Sequence, residues 1–593
     1  MIENQYIKEI KAINYKSNIT SYHKAYNHYK KKNVNEQINI ALFSSYTIDQ
    51  LEPFVAIELL KNGILPSFYI PGFNQYENVI YNSKSDFYSI SRDIVFISLR
   101  LEDILPELFY ISTNSDYEKL IEPFIKKIDR LVASIKENTK TNIFFCNFLL
   151  PRFLIQNIND FQIDHGQSGV IYSINQKIKE LTKNYEGVYI IDLMNIASEF
   201  GLNKVYDDKM YYYASIPYSA DFMKYLGYKI GQYCNALINP RKKCLVLDLD
   251  NTLWGGIIGE DNLDGILLGT DYPGNVYVEI QKIIKEISKT GVLLAINSKN
   301  NFDDVKAVFD KHPNSVLKLD DFSAYRINWN EKHINMVEIA TELNIGTDSF
   351  VFIDDNPVEI GAINHLLPEV ATIQFDKNNS INNLKLIRDM DFFFSLKITS
   401  EDMAKTDHYK QQATRKQLFK SFENVDEFYE SLNIRISVNE CNSFSISRVS
   451  QLTMKTNQFN LTTKRYTESD IKKFQNDNKT HIYYLSLKDK IGDYGIVGVF
   501  IGFERNNEIN IDTFLMSCRV IGRQIEKAFI GYLMDVFHSL GFRSINGLYI
   551  ETKKNSIVKE FYKDIGFIKN EDNWSKDLSI GIKIPAWLTI ENE

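Results

Sequence analysis

Short apolar runs and helical stretches alternate along the first two-fifths of the chain. INIALF (38–43), DIVFISL (93–99), NIFFCNF (142–148) and VYIIDL (188–193) are continuous or nearly continuous apolar segments of strand length. Runs of this kind fit parallel strands buried on both faces. Between them, YEKLIEPFIKKIDRLVASIKE (117–137) carries apolar residues at helical spacing. Such alternation predicts an α/β sheet. A second α/β unit is predicted from about 239 to 378, with strands CLVLDL, GVLLAIN (291–297) and SFVFID (349–354). The helix between the first two carries Ile280, Ile283, Ile284 and Ile287, spaced i, i+3, i+4, i+7. A third pattern begins near 425. THIYYLSL (480–487) and GIVGVFIGF (495–503) read as strands, followed by a helix with Ile525, Ala528, Phe529, Tyr532, Val536 and Leu540 on one face. This predicts a mixed α+β unit. The expected domains are therefore 1–238, 239–378 and 425–593. Residues 379–424 form a polar helical linker in which EDMAKTDHYKQQATRKQ is an exposed helix.

Composition changes this picture little. A chain of 593 residues, 44% hydrophobic and 24% charged, has ample core material for several domains of about 100–200 residues each. A net charge of -8 argues against nucleic acid as the main partner, and YKKKN (29–33) reads as a solvated helix face. The five cysteines, at 146, 234, 244, 441 and 518, show no paired spacing. They suit a reducing cytoplasm better than a disulfide framework or a zinc site. No apolar run reaches the roughly 18 residues that span a bilayer, and the N-terminus lacks the apolar core of a signal peptide. A cytoplasmic protein with no membrane partner is expected.

The chemistry concentrates at predicted strand ends. In CLVLDLDNTLWGG (244–256) a buried strand runs into Asp248 and Asp250. Residues two apart on a strand point the same way, so both acids can face one site. In open α/β sheets the carboxyl edge is where ligands bind. Carboxylates that close repel one another unless a cation or a proton intervenes. Asp354 and Asp355, in VFIDDNP, end another strand of the same unit. The four acids would make an all-oxygen site suited to Mg²⁺. Ser298 follows GVLLAIN, where a hydroxyl and turn N–H groups can hold phosphate oxygens. Lys332 begins a predicted helix and offers a cation for developing negative charge. The order of these residues predicts phosphoryl transfer, with Asp248 as nucleophile and Asp250 as general acid and base. Thr252 and Asn300 flank the site as candidate substrate contacts.

These residues resemble the haloacid dehalogenase (HAD) superfamily. DLDNTLWGG…IGED, with NSKN, the Asn328–Lys332 segment NWNEK and DDNP, is similar to its FkbH-like branch. The resemblance extends to SSYTIDQLEPF near the N-terminus, and to KTNQFNLTTKRYTE and SCRVIGRQIEKAF near the C-terminus. It implies an SGNH- or flavodoxin-like α/β sandwich, a Rossmann-like HAD core without a large cap, and a GNAT-like α+β domain. The short stretch from Trp254 to Gly269 leaves no room for a large cap. The N-terminal unit looks like a degenerate SGNH hydrolase. Ser44 and Ser45 lack the preceding Gly-Asp, and DDKMYYYASIPYSADF (207–222) lacks the late histidine, so a scaffold or docking role is expected. His165 reads as an ordinary surface residue.

In the C-terminal unit a strand is predicted to end at Cys518, where the long helix starts. A helix N-terminus with Arg519 and Arg523 nearby would favour a thiolate able to carry an acyl group. The GNAT pyrophosphate loop reads R/Q-x-x-G-x-G/A. Arg519 and Gly522 match, but Gln524 replaces the final small residue. That departure argues against ordinary acetyl-CoA use and is compatible with a phosphopantetheine arm on a carrier protein instead. Asn457, Asn460 and Asp493 are candidate lining residues. The FkbH-like resemblance implies glyceryl transfer from 1,3-bisphosphoglycerate to a separate acyl carrier protein, with phosphate removed at the Asp248 site, as in polyketide biosynthesis. The alternative is a HAD phosphatase fused to an acyltransferase acting on a sugar or amine.

Overall fold

The computed structural model describes residues 9–31, 37–110, 118–163, 166–398, 411, 415, 418–419, 421–517, 519–552, 554–570 and 573–591. It divides into two compact units, 1–242 with 389–398, and 243–388 with 399–593.

The first unit is built on a five-stranded parallel sheet: β1 (Ile38–Ser44), β2 (Pro66–Tyr69), β3 (Ile94–Ser98), β4 (Asn142–Cys146) and β5 (Val188–Ile191), in the order β2-β1-β3-β4-β5. β3 is buried at every position, and the last four residues of β4 are buried. This accounts for their unbroken apolar sequence. Two cores lie on the faces of the sheet. One gathers Leu42, Phe54, Phe144 and Phe222; the other gathers Phe43, Phe87, Phe145 and Ile174. The alternation of Leu42 and Phe43, and of Phe144 and Phe145, between the two is the period-2 consequence of strand geometry. The helix Glu118–Asn138 forms where its periodicity predicts it.

The second unit contains two sheets. The first has five parallel strands: β6 (Cys244–Leu247), β7 (Leu293–Ser298), β8 (Ala324–Ile327), β9 (Phe350–Asp354) and β10 (Ala371–Gln374). Their order is β10-β9-β6-β7-β8, so β6 lies at the centre with β7 and β9 as its neighbours. Between β6 and the helix Gly274–Lys289 the chain makes only a short helical stretch, Ile258–Gly265, broken by a kink at Asn262 and folded back by a bridge between Gly255 and Leu267. No large cap is inserted there.

The second sheet runs β17-β18-β16-β15-β14-β13-β11-β19. Its strands are β11 (Ile434–Glu440), β13 (Thr480–Lys488), β14 (Asp493–Arg505), β15 (Glu508–Met516), β16 (Ser544–Leu548), β17 (Ile568–Asn570), β18 (Asn573–Asp577) and β19 (Leu588–Glu591). All neighbours are antiparallel except β15–β16 and β11–β19. This is the expected mixed α+β arrangement. β15 and β16 pair over only three residues, Glu508–Asn510 with Ser544–Asn546. Beyond them a two-residue strand, β12 (Phe459–Asn460), pairs with Met516 and Leu515 of β15.

The expected exposed linker needs correction. Residues 389–398 group with the first unit, where Met390 and Phe393 are buried. Most of 401–417 lies outside the described residues, but Arg415 within it is buried, 3% exposed. Its guanidinium makes a two-pronged pair with Asp489, at 2.6 and 2.7 Å, and stacks on the Tyr494 ring at 4.3 Å. Removing one partner of such a pair leaves an uncompensated buried charge. Arg415→Met should therefore destabilise the C-terminal sheet by about 3–5 kcal/mol, and the double variant Arg415→Met/Asp489→Leu should recover much of the loss. Urea unfolding of the two variants checks this. Among the described residues no helix is long and apolar enough to cross a membrane.

Candidate active site

Strand β6 ends at Leu247, and Asp248 follows with its N–H bonded to the Ile353 carbonyl of β9. This places Asp248 beside the end of β9, where Asp354 and Asp355 emerge. The helix Lys332–Leu343 starts with Lys332. Its ammonium lies 2.6 Å from Asp354 Oδ2 and 2.9 Å from Asp248 Oδ1, with all three residues buried. The start of this helix is held by asparagines: Asn297 Nδ2 donates to the Lys332 carbonyl (2.8 Å), and Asn335 Nδ2 donates to Asn297 Oδ1 (3.1 Å). Asp354 Oδ1 accepts from Asn356 N–H at 2.8 Å. The four separated sequence motifs thus meet at the carboxyl edge of one sheet, at the centre of its strand order.

Asp250 sits on the neighbouring turn. Its Oδ1 accepts from Trp254 Nε1 (2.8 Å) and Ile258 N–H (3.1 Å), and its Oδ2 from Asn300 Nδ2 (3.0 Å). Asn300 also donates to Ser298 Oγ at 3.1 Å, which links the end of β7 to the end of β6. Asn251 takes a left-handed conformation (φ 55°) and its Oδ1 accepts from Gly256 N–H. Asparagine tolerates this region better than most residues, so the turn between Asp250 and Thr252 needs no glycine.

Carboxylate oxygens of Asp248, Asp354 and Asp355 lie within 4.8 Å of one another. Asp250, expected in the metal set, is not among them. Its carboxylate is committed to Trp254, Ile258 and Asn300, which suits it to proton transfer rather than ligation. Burial holds the Asp250 carboxyl above the usual aspartate range, against the hydrogen bonds that favour its anion. Burial, then the charge of Asp248, also pushes Asp354 and Asp355 upward, while Lys332 pulls the other way. For Lys332, burial works to lower the ammonium's pKa, but Asp248 and Asp354 outweigh it and hold it above the usual range. Three buried or half-buried carboxylates thus face one ammonium. The excess negative charge and the all-oxygen donor set fit Mg²⁺. Asp248, Asp354 and Asp355 would hold it.

Thr252, expected as a substrate contact, lies in the core of the turn. It is fully buried, and its Oγ1 has no hydrogen-bond partner among the described residues. A buried hydroxyl without a partner costs about 1–3 kcal/mol of desolvation. Thr252→Val should therefore leave turnover intact and leave Tm unchanged or raised, as differential scanning calorimetry alongside a phosphatase assay would register.

The C-terminal candidates do not converge in the same way. Cys518 lies outside the described residues. The helix expected to begin there begins at Ile525, after a turn in which Gly522 (φ 82°) and Gln524 (φ 54°) adopt left-handed conformations. The helix N-terminus therefore lies at Ile525, seven residues beyond the expected start. Arg519 Nε donates to Ser517 Oγ (3.2 Å), and Arg523 Nη1 donates to the Tyr494 hydroxyl. Asn460 is fully buried: its Oδ1 accepts from Thr463 N–H (2.8 Å) and its carbonyl from Asn555 Nδ2 (3.0 Å). It fastens the loop rather than lining a cleft. Asn457 Oδ1 accepts from Arg465 (3.1 Å), and Asp493 is exposed, with Oδ1 accepting from Gly495 N–H (2.7 Å). In the first unit, Ser45 Oγ donates to Asp103 Oδ2 (3.0 Å) and accepts from Arg100 N–H (2.9 Å); His165 lies outside the described residues.

Sequence reasoning missed Trp254 and Asn251 as supports of the acidic turn, and Asn297 and Asn335 as supports of Lys332. WGG after the aspartates and the asparagine spacing were visible. Nothing in the chain order, however, marks an asparagine as a partner of a residue more than 30 positions away.

The FkbH N-terminal domain family model matches residues 64–232. No curated protein matches the chain. Among solved structures, the N-terminal part of a Bacteroides fragilis protein, containing a phosphatase domain and complexed with Mg, is 24% identical with a TM-score of 0.54. The match covers 66% of this chain and 99% of that one, and it establishes a shared fold. The ribosomal-protein-S18-alanine N-acetyltransferase of Escherichia coli is 10% identical over 25% of this chain and 96% of its own. A spermidine N-acetyltransferase of Vibrio cholerae is 12% identical over 24% and 94%. Both have TM-scores of 0.20, too low to assign anything to this chain. The first unit thus matches the FkbH N-terminal domain family over residues 64–232, and 66% of the chain shares its fold with the Bacteroides fragilis protein.

Proposed function

We propose that the protein is a HAD-type, Mg²⁺-dependent phosphatase coupled to glyceryl transfer, acting on 1,3-bisphosphoglycerate and a separate acyl carrier protein. The observation that carries the phosphatase half is the buried contact of Lys332 with Asp248 and Asp354, beside Asp355 and within one turn of Asp250. Asp248 attacks phosphorus through a carboxylate oxygen, and the bond from phosphorus to the leaving oxygen breaks. Asp250, raised toward its protonated form, gives its proton to that oxygen. It then takes a proton from water, whose oxygen attacks the aspartyl-phosphate and releases phosphate and free Asp248. Lys332 stabilises the charge that builds on the phosphoryl oxygens. Mg²⁺, when bound, supplies electrostatic neutralisation of the phosphoryl group and the nucleophile.

The transfer half rests on the FkbH-like resemblance. The acyl phosphate of 1,3-bisphosphoglycerate would be attacked by the Cys518 thiolate, expelling phosphate and forming a thioester. The thiol of a phosphopantetheine arm would then take the glyceryl group and release Cys518. The remaining phosphate ester suits the Asp248 site.

Incubation with 1,3-bisphosphoglycerate, Mg²⁺ and a carrier protein, followed by intact-mass measurement of the carrier, tests this reading. A glyceryl adduct is expected with the wild type, and Cys518→Ala should abolish it while phosphate release from a model ester continues. Hydrolysis of phosphate esters with no carrier adduct, but with acylated amine or sugar product, would replace carrier loading with small-molecule acylation.

A further inference from the structure

The amino edge of the first unit's sheet carries a second polar site, on the opposite side from the strand ends where ligands of such sheets usually bind. A cavity of about 460 Å³ opens there among the first residues of β1, β3 and β4 (Ile38, Ile94, Asn142), the preceding segment Ser91–Asp93, Lys140, and the end of the helix Ala220–Ile238 (Leu237, Ile238). This volume falls in the range of small-molecule pockets.

Arg92 forms part of its wall and is only 8% exposed. Its Nε is buried with no hydrogen-bond partner among the described residues. The guanidinium lies over the Tyr69 ring at 4.8 Å, and that ring is fixed by the Tyr69 hydroxyl donating to Asp86 Oδ1 at 2.6 Å. The acid next in sequence does not pair with Arg92: Asp93 Oδ2 accepts from Asn39 N–H at 2.8 Å. A buried guanidinium normally has a carboxylate or carbonyl acceptor, because its desolvation is otherwise uncompensated. Arg92 thus has an aromatic ring against its guanidinium and lines the cavity with a buried, unpartnered Nε. Lys140 adds a second cation and Asp93 one anion, so the cavity favours a ligand with a single negative charge. Ile38, Ile94, Leu237 and Ile238 supply apolar wall.

We propose that this cavity binds a small organic carboxylate, with Arg92 gripping the carboxylate and the aliphatic side chains covering a short apolar body. A planar guanidinium pairs with a carboxylate through two parallel hydrogen bonds, which a lysine cannot reproduce. The site is independent of the Asp248 chemistry and does not rest on it.

Isothermal titration of the full-length protein with hexanoate tests the assignment, with hexanol and inorganic phosphate as parallel probes. Wild type should bind one hexanoate saturably and hexanol not at all. Arg92→Met should weaken hexanoate at least tenfold, and the exposed change Lys140→Glu, which leaves the core untouched, should weaken it several-fold. Both variants should hydrolyse p-nitrophenyl phosphate at the wild-type rate. Absence of saturable hexanoate binding to the wild type would overturn the proposal. Equal binding by both variants would do the same, and Arg92-dependent binding of phosphate but not hexanoate would overturn the carboxylate assignment.

Discussion

Replacing Asp248 by asparagine should lower Mg²⁺-dependent phosphate release by at least about a thousandfold. The amide is nearly isosteric and still reaches Lys332, but its oxygen is a poor nucleophile and cannot form the covalent intermediate. It also removes one of three carboxylates from the cluster, so Mg²⁺ affinity should fall together with the rate. Protein stability should not suffer. Asp354 still pairs with Lys332 at the same place, and one fewer anion relieves repulsion among the acids. Steady-state hydrolysis of p-nitrophenyl phosphate over a range of Mg²⁺ concentrations, with Tm measured in parallel, would check all three expectations. A variant that keeps more than a tenth of the wild-type rate at saturating Mg²⁺ would remove Asp248 from the nucleophile's role.

The second large effect is on folding. Lys332 is 4% exposed and contacts two carboxylates. Lys332→Met keeps the volume of the side chain and deletes the only cation that contacts Asp248 and Asp354 among the described residues. Breaking a buried pair from one side costs about 3–5 kcal/mol, because the remaining charge is left uncompensated. Without metal, the variant should unfold on the order of 10 °C below the wild type. The sign of the Mg²⁺ effect is the more informative result. A divalent cation binding the folded state alone stabilises it by mass action, and in the variant it also neutralises the stranded acids. Added Mg²⁺ should therefore raise Tm more in Lys332→Met than in the wild type. Equal shifts in the two proteins would mean that Lys332 and the metal do not serve the same cluster. Turnover should remain low in the variant even at high Mg²⁺, since the ammonium's contribution to the phosphoryl oxygens is lost.

The sequence disclosed some elements readily and others hardly at all, for physical reasons. β3 and β4 announce themselves because strands buried on both faces must be apolar throughout. β8 (AYRI) and β10 (ATIQ) lie at the edges of their sheet and are mostly half-buried or exposed. Their polar residues break the apolar run, and neither was foreseen. β2, another edge strand, was missed for the same reason. The acidic cluster was legible because charge at the end of a buried strand is costly and needs an explanation. Strand spacing alone does not separate the clustered acids Asp248, Asp354 and Asp355 from Asp250. Asp250 shares a face with Asp248 in an ideal strand, but β6 stops at Leu247 and the chain turns at Asn251. Asp250 is thereby delivered to Trp254 and Asn300 instead of the acidic cluster. The C-terminal helix start failed for a related reason: Gly522 and Gln524 take left-handed conformations that no apolar periodicity reports. Arg415 was read as linker because a polar stretch looks solvated whether or not one of its cations is buried against an aspartate 74 residues away.

The most direct measurement is an acid quench of a single turnover with a ³²P-labelled phosphate ester, followed by peptide mapping of the protein. The arrangement of Asp248 against Lys332, Asp354 and Asp355 predicts acid-stable, hydroxylamine-labile label on the peptide containing Asp248, and none on Asp248→Asn. Label on a different peptide, or phosphate release at an undiminished rate with no label retained on the protein, would contradict it.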